Sequence, residues 1–176
     1  MIILLNGAYG VGKTTIANEL LTKVDNSILY DPEEVGYMLR NIITDDMKKQ
    51  EEHTDNFQDL LPWKRLVVTV AKELITTYEK NLIIPMTIYK KEYLSYIING
   101  IKECDPNTFH FCLIANKSTI HNRLLKRGEE AGNWCFQQTD RCLEAFQDDI
   151  FQIKINTDQK SSHQVVEEIM KQINSL

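Results

Sequence analysis

The sequence predicts an α/β fold, a mostly parallel sheet with helices on both faces, from three observations. Short apolar runs of strand length recur along the chain, stretches with helical apolar spacing separate them, and the first run enters a helix through a glycine-rich turn. Ile2 to Leu5 is apolar throughout, as a strand buried on both faces of a parallel sheet should be. From Thr14 onward Ile16, Ala17, Leu20, Leu21 and Val24 recur at helical spacing, and Ser27 to Tyr30 reads as a second strand. Strand, loop, helix and strand make a βαβ unit.

The remaining elements follow in order. Asp31-Pro32-Glu33-Glu34 has the chemistry of a helix start, with an N-cap acid, proline at the first position and acids in the first turn; this helix should run to about Ile43. Residues 44–61 are polar and acidic and read as a lid-like excursion with marginal helix. Beyond Pro62, the residues Trp63, Leu66, Val67, Val70, Ala71, Leu74 and Tyr78 mark one helical stripe. Leu82 to Ile84 is a third strand, and Pro85, which cannot donate to a central ladder, is expected where that strand ends. A helix from about Lys90 to Glu103, a strand at Phe109 to Ala115 and a helix from Ser118 to Arg127 come next. Gly128 to Gly132 breaks the pattern before a helix over Trp134 to Phe146. Ile150 to Ile155 is the fifth strand, and Ser161 to Gln164 forms a capping box ahead of a last helix with Val165, Val166, Ile169, Met170 and Ile173 on one stripe. The whole of 1–176 reads as one domain, with the excursion at about 44–61 and a lid at about 127–134.

Composition bounds the function. The hydrophobic fraction of 43% and the charged fraction of 26% are those of a globular domain. A chain of 176 residues buries ~70% of its unfolded surface without needing staples. Cys104, Cys112, Cys135 and Cys142, separated by 8, 23 and 7 residues, fit no zinc or redox spacing and are expected as reduced thiols. No apolar run reaches the ~20 residues of a membrane span, and Met1 opens into Ile2 without a charged leader, so a cytoplasmic protein is expected. A net charge of -5 argues against nucleic acid as a partner and leaves small ligands.

Gly7-Ala8-Tyr9-Gly10-Val11-Gly12-Lys13-Thr14 matches the phosphate-binding pattern G-x-x-x-x-G-K-[ST] in full, in the required place between a strand and a helix. Glycines let the loop curl so that backbone N–H groups converge on phosphate oxygens, and the helix adds the positive end of its dipole. ATP and Mg²⁺ are the expected ligands. Gly7 to Thr14, together with Thr15, would cradle the phosphates, Lys13 would reach the β and γ phosphates, and the Thr14 hydroxyl would ligate the metal.

With this loop, Asp31-Pro32-Glu33, Leu82-Ile83-Ile84-Pro85-Met86-Thr87-Ile88 and Asp140-Arg141-Cys142, the chain resembles the tunicamycin-resistance ATP-binding proteins over nearly its whole length. That family is similar to the small-molecule kinases that include shikimate kinase, chloramphenicol phosphotransferase and gluconate kinase. The resemblance implies a P-loop NTPase fold of three layers, five parallel strands in the order 2-3-1-4-5 and a helical lid. It also implies ATP binding and resistance to a nucleoside antibiotic, by phosphorylation or by sequestration. One departure stands out: Pro85-Met86-Thr87 closes the third strand where many P-loop proteins carry a magnesium-orienting acid.

Asp31, at the end of the second strand, is a candidate general base for a substrate hydroxyl, and equally a cap for the helix begun by Pro32. Only five of the 20 basic residues are arginine, whose planar, always charged group suits phosphates. Arg123 and Arg127 share one helical face before the glycine break and Arg141 follows it; by the resemblance they cover the ATP phosphates and stabilise transferring charge, whereas on spacing alone they are a solvated face. Arg40 and Arg65 are candidates for the acceptor, against surface ion pairs. Thr87 either orders magnesium-bound water at the acceptor or caps the next helix. Tyr9 and Trp134 line an acceptor pocket or simply pack, and Asn156 to Gln159 would lie against the adenine by the same resemblance. The functions in contention are a kinase for a small hydroxyl-bearing molecule, an ATP-dependent protein that sequesters its ligand, and a slowly hydrolysing regulator.

Overall fold

A computed structural model describes residues 1–175. Five parallel strands, β1 (Ile2–Gly7), β2 (Ser27–Leu29), β3 (Asn81–Met86), β4 (Thr108–Ile114) and β5 (Ile153–Asn156), form one sheet in the order β2-β3-β1-β4-β5. The helices are α1 (Lys13–Leu20), α2 (Pro32–Ile42), α3 (Trp63–Tyr78), α4 (Lys91–Cys104), α5 (Lys117–Lys126), α6 (Trp134–Ala145) and α7 (Ser162–Ser175). This is the predicted α/β architecture and strand order. β1 takes the central place because every one of its residues is buried, with Ile3 between Ile83 of β3 and Phe109 of β4. Trp63, Phe111, Phe146 and Phe151 are the largest fully buried side chains of the core around it. Among the described residues no helix is long and apolar enough to cross a membrane, and all four cysteines are free.

Three local expectations change. Pro85 lies inside β3, opposite Leu5, and does not end it. The Leu82 N–H bonds Met1 on the β1 side, while the Ile83 carbonyl accepts from Tyr30 on the β2 side, so the backbone groups of alternate residues face β2. Pro85 therefore turns its missing N–H toward β2 at a level above Tyr30, where the ladder has already ended, and no bond is lost. β5 starts at Ile153 instead of Ile150, because the Ile150 N–H is held by the Asp148 carboxylate in a turn and Phe151 is apolar in order to pack on Phe146, ring centroids 4.9 Å apart.

The excursion at 44–61 carries no α-helix. It folds as two single 3₁₀ turns, Gln50–Glu52 and Phe57–Asp59, pinned by polar groups that the core has absorbed. The Glu52 carboxylate accepts the N–H groups of Lys49 at 2.8 Å and Leu61 at 2.7 Å. Asp59 accepts from Thr54 at 2.9 Å, from the Tyr93 hydroxyl at 2.8 Å and from Lys90. Burial raises the Asp59 carboxyl, but its three hydrogen-bond donors hold it below the usual range.

Candidate phosphate and acceptor site

The turn from β1 into α1 is built for an anion. Gly12 is the N-cap of α1 with φ 110°, a left-handed conformation that glycine adopts without strain, and no side chain caps the helix. The first-turn N–H groups of α1 therefore keep their positive ends free for an incoming ligand. Lys13 donates to the carbonyls of Gly7 and Ala8, both at 3.0 Å, and its ammonium sits 5.4 Å from the centre of the Tyr9 ring. Two of its three protons thus hold it across the loop, and the third remains for a phosphate oxygen. Burial lowers this ammonium to about 8, partly offset by nearby Cys142 and by Glu33. Thr14 and Thr15 expose their side chains on the cleft wall beside it.

The cleft has a volume of about 1060 Å³ and spans the carboxyl ends of the strands. On the β5 side its wall includes Thr157, Lys160 and Val165, and on the β2 side Asp31, Glu33, Tyr37, Arg40, Asn56 and Phe57. Lys13, Arg40, Arg123, Arg127 and Lys160 face three acids, Asp31, Glu33 and Asp55, so a chain of net charge -5 gathers a cationic surplus here. Such a surplus attracts a polyanion.

Asp31 is the N-cap of α2, its Oδ1 accepting the Glu33 N–H at 2.9 Å, and it also lines the cleft. Glu33 is half-buried beside it; burial first, and then the Asp31 charge, raise its carboxyl, against the pull of Lys13. The Tyr37 hydroxyl donates to Glu33 at 3.3 Å. Arg40 stacks on Phe57, with 5.2 Å from guanidinium carbon to ring centre, and donates to the Asp55 carbonyl. Phe57 reaches this wall because Gly36 of α2 leaves room: a β-carbon there would lie 2.2 Å from its ring.

The other expected residues divide. Arg123 lines the cleft, but its guanidinium donates to Val11 O at 2.9 Å, Thr157 Oγ1 at 2.9 Å and Thr157 O at 2.8 Å, bracing the phosphate loop against the loop after β5. Arg127 lines the cleft and pairs with Glu129 at 2.8 Å, and Glu129 in turn accepts from Asn133, the N-cap of α6. Tyr9 and Trp134 meet edge to face at 4.9 Å on the same wall. Arg65 and Arg141 lie on exposed faces of α3 and α6, outside the wall, because the buried stripes of those helices pass through Trp63, Val67 and Ala71 and through Gln138, Thr139 and Cys142. Thr87 is also outside the wall and fully buried; it caps no helix and instead donates to the Gly7 carbonyl at 2.8 Å. Sequence reasoning passed over Glu33, together with Tyr37, Asn56, Phe57 and Lys160 of the same wall. Glu33, Tyr37 and Arg40, at i, i+4 and i+7, form a polar stripe beside the buried Val35, Gly36 and Leu39, and that spacing was the available signal.

A family model described as AAA domain matches residues 3–152. The chain belongs to that family. It is 33% identical over 143 residues to a 2-phosphoglycerate kinase of Pyrococcus horikoshii, an alignment covering 72% of this chain and 46% of that protein. The chain spans less than half the length of the curated relatives it matches. Among solved structures, the tunicamycin resistance protein of Deinococcus radiodurans superposes with a TM-score of 0.78 at 28% identity, covering 98% of this chain and 94% of that one. Shikimate kinase from Aquifex aeolicus superposes with a TM-score of 0.63 at 15% identity, over 99% and 97%, and shares the fold. The resemblance read from the sequence is borne out, and a P-loop kinase-like fold frames the cleft.

Proposed function

We propose that the chain is an ATP-dependent phosphotransferase acting on a small hydroxyl-bearing molecule. The observation that carries this reading is one cleft holding both an uncapped phosphate loop with its oriented lysine and, on the β2 side, the half-buried pair Asp31 and Glu33. In this reading the β and γ phosphates lie on the N–H groups of α1 and on Lys13, and the adenine lies toward Thr157. The Thr14 hydroxyl is the candidate ligand for Mg²⁺, which when bound neutralises charge on the phosphates. The acceptor enters between Asp31, Glu33, Tyr37, Arg40 and Phe57. One of the two carboxylates, Asp31 or Glu33, takes the hydroxyl proton as its oxygen bonds to the terminal phosphorus and the bond to ADP breaks. Arg127, at the mouth, exchanges Glu129 for phosphate charge as that charge develops.

Similarity to a tunicamycin resistance protein along almost the full chain makes that nucleoside antibiotic the first acceptor to try. Mass spectrometry of Mg-ATP with tunicamycin and a library of hydroxyl-bearing nucleosides and sugars separates the readings. A ligand heavier by one phosphoryl group supports the kinase. A ligand bound without turnover would make this a sequestering protein, a reading favoured by the use of the Asp31 Oδ1 as a cap. ADP formation alone would leave a slow ATPase.

A further inference from the structure

Gln58 and Thr87 are buried polar side chains, 3% and 0% exposed, that do not themselves line the cleft. The Gln58 Oε1 has no hydrogen-bond partner, which costs free energy that a leucine of similar size would avoid. What the amide supplies is its Nε2, donating to the Thr87 carbonyl at 2.8 Å. The Thr87 hydroxyl donates at 2.8 Å to the Gly7 carbonyl, the same oxygen that accepts from Lys13 at 3.0 Å. At the other end, the Gln58 N–H is held at 3.0 Å by the side chain of Asn56, a residue of the acceptor wall. Four hydrogen bonds therefore run without a gap from Asn56 to the Lys13 ammonium. The neighbouring backbone is clipped as firmly: Asn6 bonds both the N–H and the carbonyl of Ile88 at 2.8 Å, and its Oδ1 also accepts the Gly7 N–H.

We propose that Gln58 and Thr87 are positioning residues for Lys13, a buried strut from the acceptor wall that fixes the Gly7 carbonyl and through it the lysine that meets the β and γ phosphates. Thr87 stands where the third strand carries no acid, and its role is to hold the loop, not to touch metal or acceptor. The inference rests on nucleotide binding at this loop.

Calorimetry with two probes tests it, because AMP has no β or γ phosphate for Lys13 to hold while Mg-AMP-PNP has both. Thr87→Val and Gln58→Leu should each weaken Mg-AMP-PNP binding by about ten-fold, with AMP changed less than about two-fold and Thr87→Ser close to the parent chain. Unchanged affinity for Mg-AMP-PNP, or an equal loss for both probes, overturns the proposal. If Thr87→Val fails to fold, Gln58→Leu leaves every residue of the phosphate loop in place and decides the matter by the same ratio. If the parent chain binds neither probe, the nucleotide reading itself falls and takes the strut with it.

Discussion

Titrating nucleotide affinity against pH interrogates Lys13 more directly than any deletion. Burial lowers its ammonium to about 8. A phosphate beside it favours the charged form and raises that value again, so binding above pH 8 must take up a proton. The sign follows: affinity is flat where the free lysine is already protonated and falls as pH rises through 8. One unit above its pKa a group is ~10% protonated, so each further unit costs about ten-fold in affinity, or ~1.4 kcal/mol. Isothermal calorimetry with Mg-AMP-PNP at pH 7, 8 and 9, repeated in two buffers of different ionisation enthalpy, measures both quantities. Proton uptake should climb from ~0.1 at pH 7 to ~0.5 at pH 8 and ~0.9 at pH 9. Lys13→Ala should bind far more weakly with a flat profile. Affinity of the parent chain that is constant from pH 7 to 9 refutes the assignment of a desolvated, phosphate-facing lysine.

Four more substitutions probe the cleft wall and its supports. Asp31→Asn keeps the N-cap oxygen and should shift stability by less than about 1 kcal/mol, while Glu33→Gln leaves that cap intact; once an acceptor is known, whichever variant loses ~10²- to 10⁴-fold in rate at unchanged melting temperature identifies the proton acceptor. If neither rate moves, neither carboxylate is the base. Arg123→Met removes three charged hydrogen bonds between the phosphate loop and Thr157 and should cost about 2–3 kcal/mol in urea unfolding, a loss below ~0.5 kcal/mol excluding the brace. Gly36→Ala pushes a β-carbon into the Phe57 ring, and the overpacking cost of ~1–3 kcal/mol outweighs the ~1 kcal/mol that alanine gains in a helix. The expected result is a melting point lower by several degrees, and an unchanged or higher one would mean that the ring moves aside freely.

The fold was legible because its signals are local. The apolar run of β1, the capping of α2 by Asp31 and the Ser161 to Gln164 box, with Ser161 N donating to Gln164 Oε1 at 2.9 Å, each depend on residues a few positions apart. The phosphate loop was legible for the same reason. What escaped depends on partners far along the chain. Thr87 looked like a ligand or a cap because nothing near it in sequence announces the Gly7 carbonyl 80 residues away. Arg123 looked free for phosphate because Val11 and Thr157 lie 112 and 34 residues from it. The acids at 44–61 resembled a solvated flap, since Glu52 and Asp59 reveal their anchoring only when Leu61, Lys90 and Tyr93 are brought beside them.

Pro85 also sets a limit at the outer margin of the sheet. β2 is an edge strand of three residues; the Tyr30 N–H closes its ladder on Ile83, and the proline above offers no N–H to the Tyr30 carbonyl that would carry it further. The chain must leave the sheet at Tyr30 and turn into α2 at Asp31, so an imino acid in β3 decides where the acidic pair can stand. The same truncation keeps the open margin too short to template a strand from another molecule, a protection against edge-to-edge aggregation. Pro85→Val would restore an N–H facing β2 and invite that edge to lengthen, drawing Asp31 into the ladder and away from the cleft.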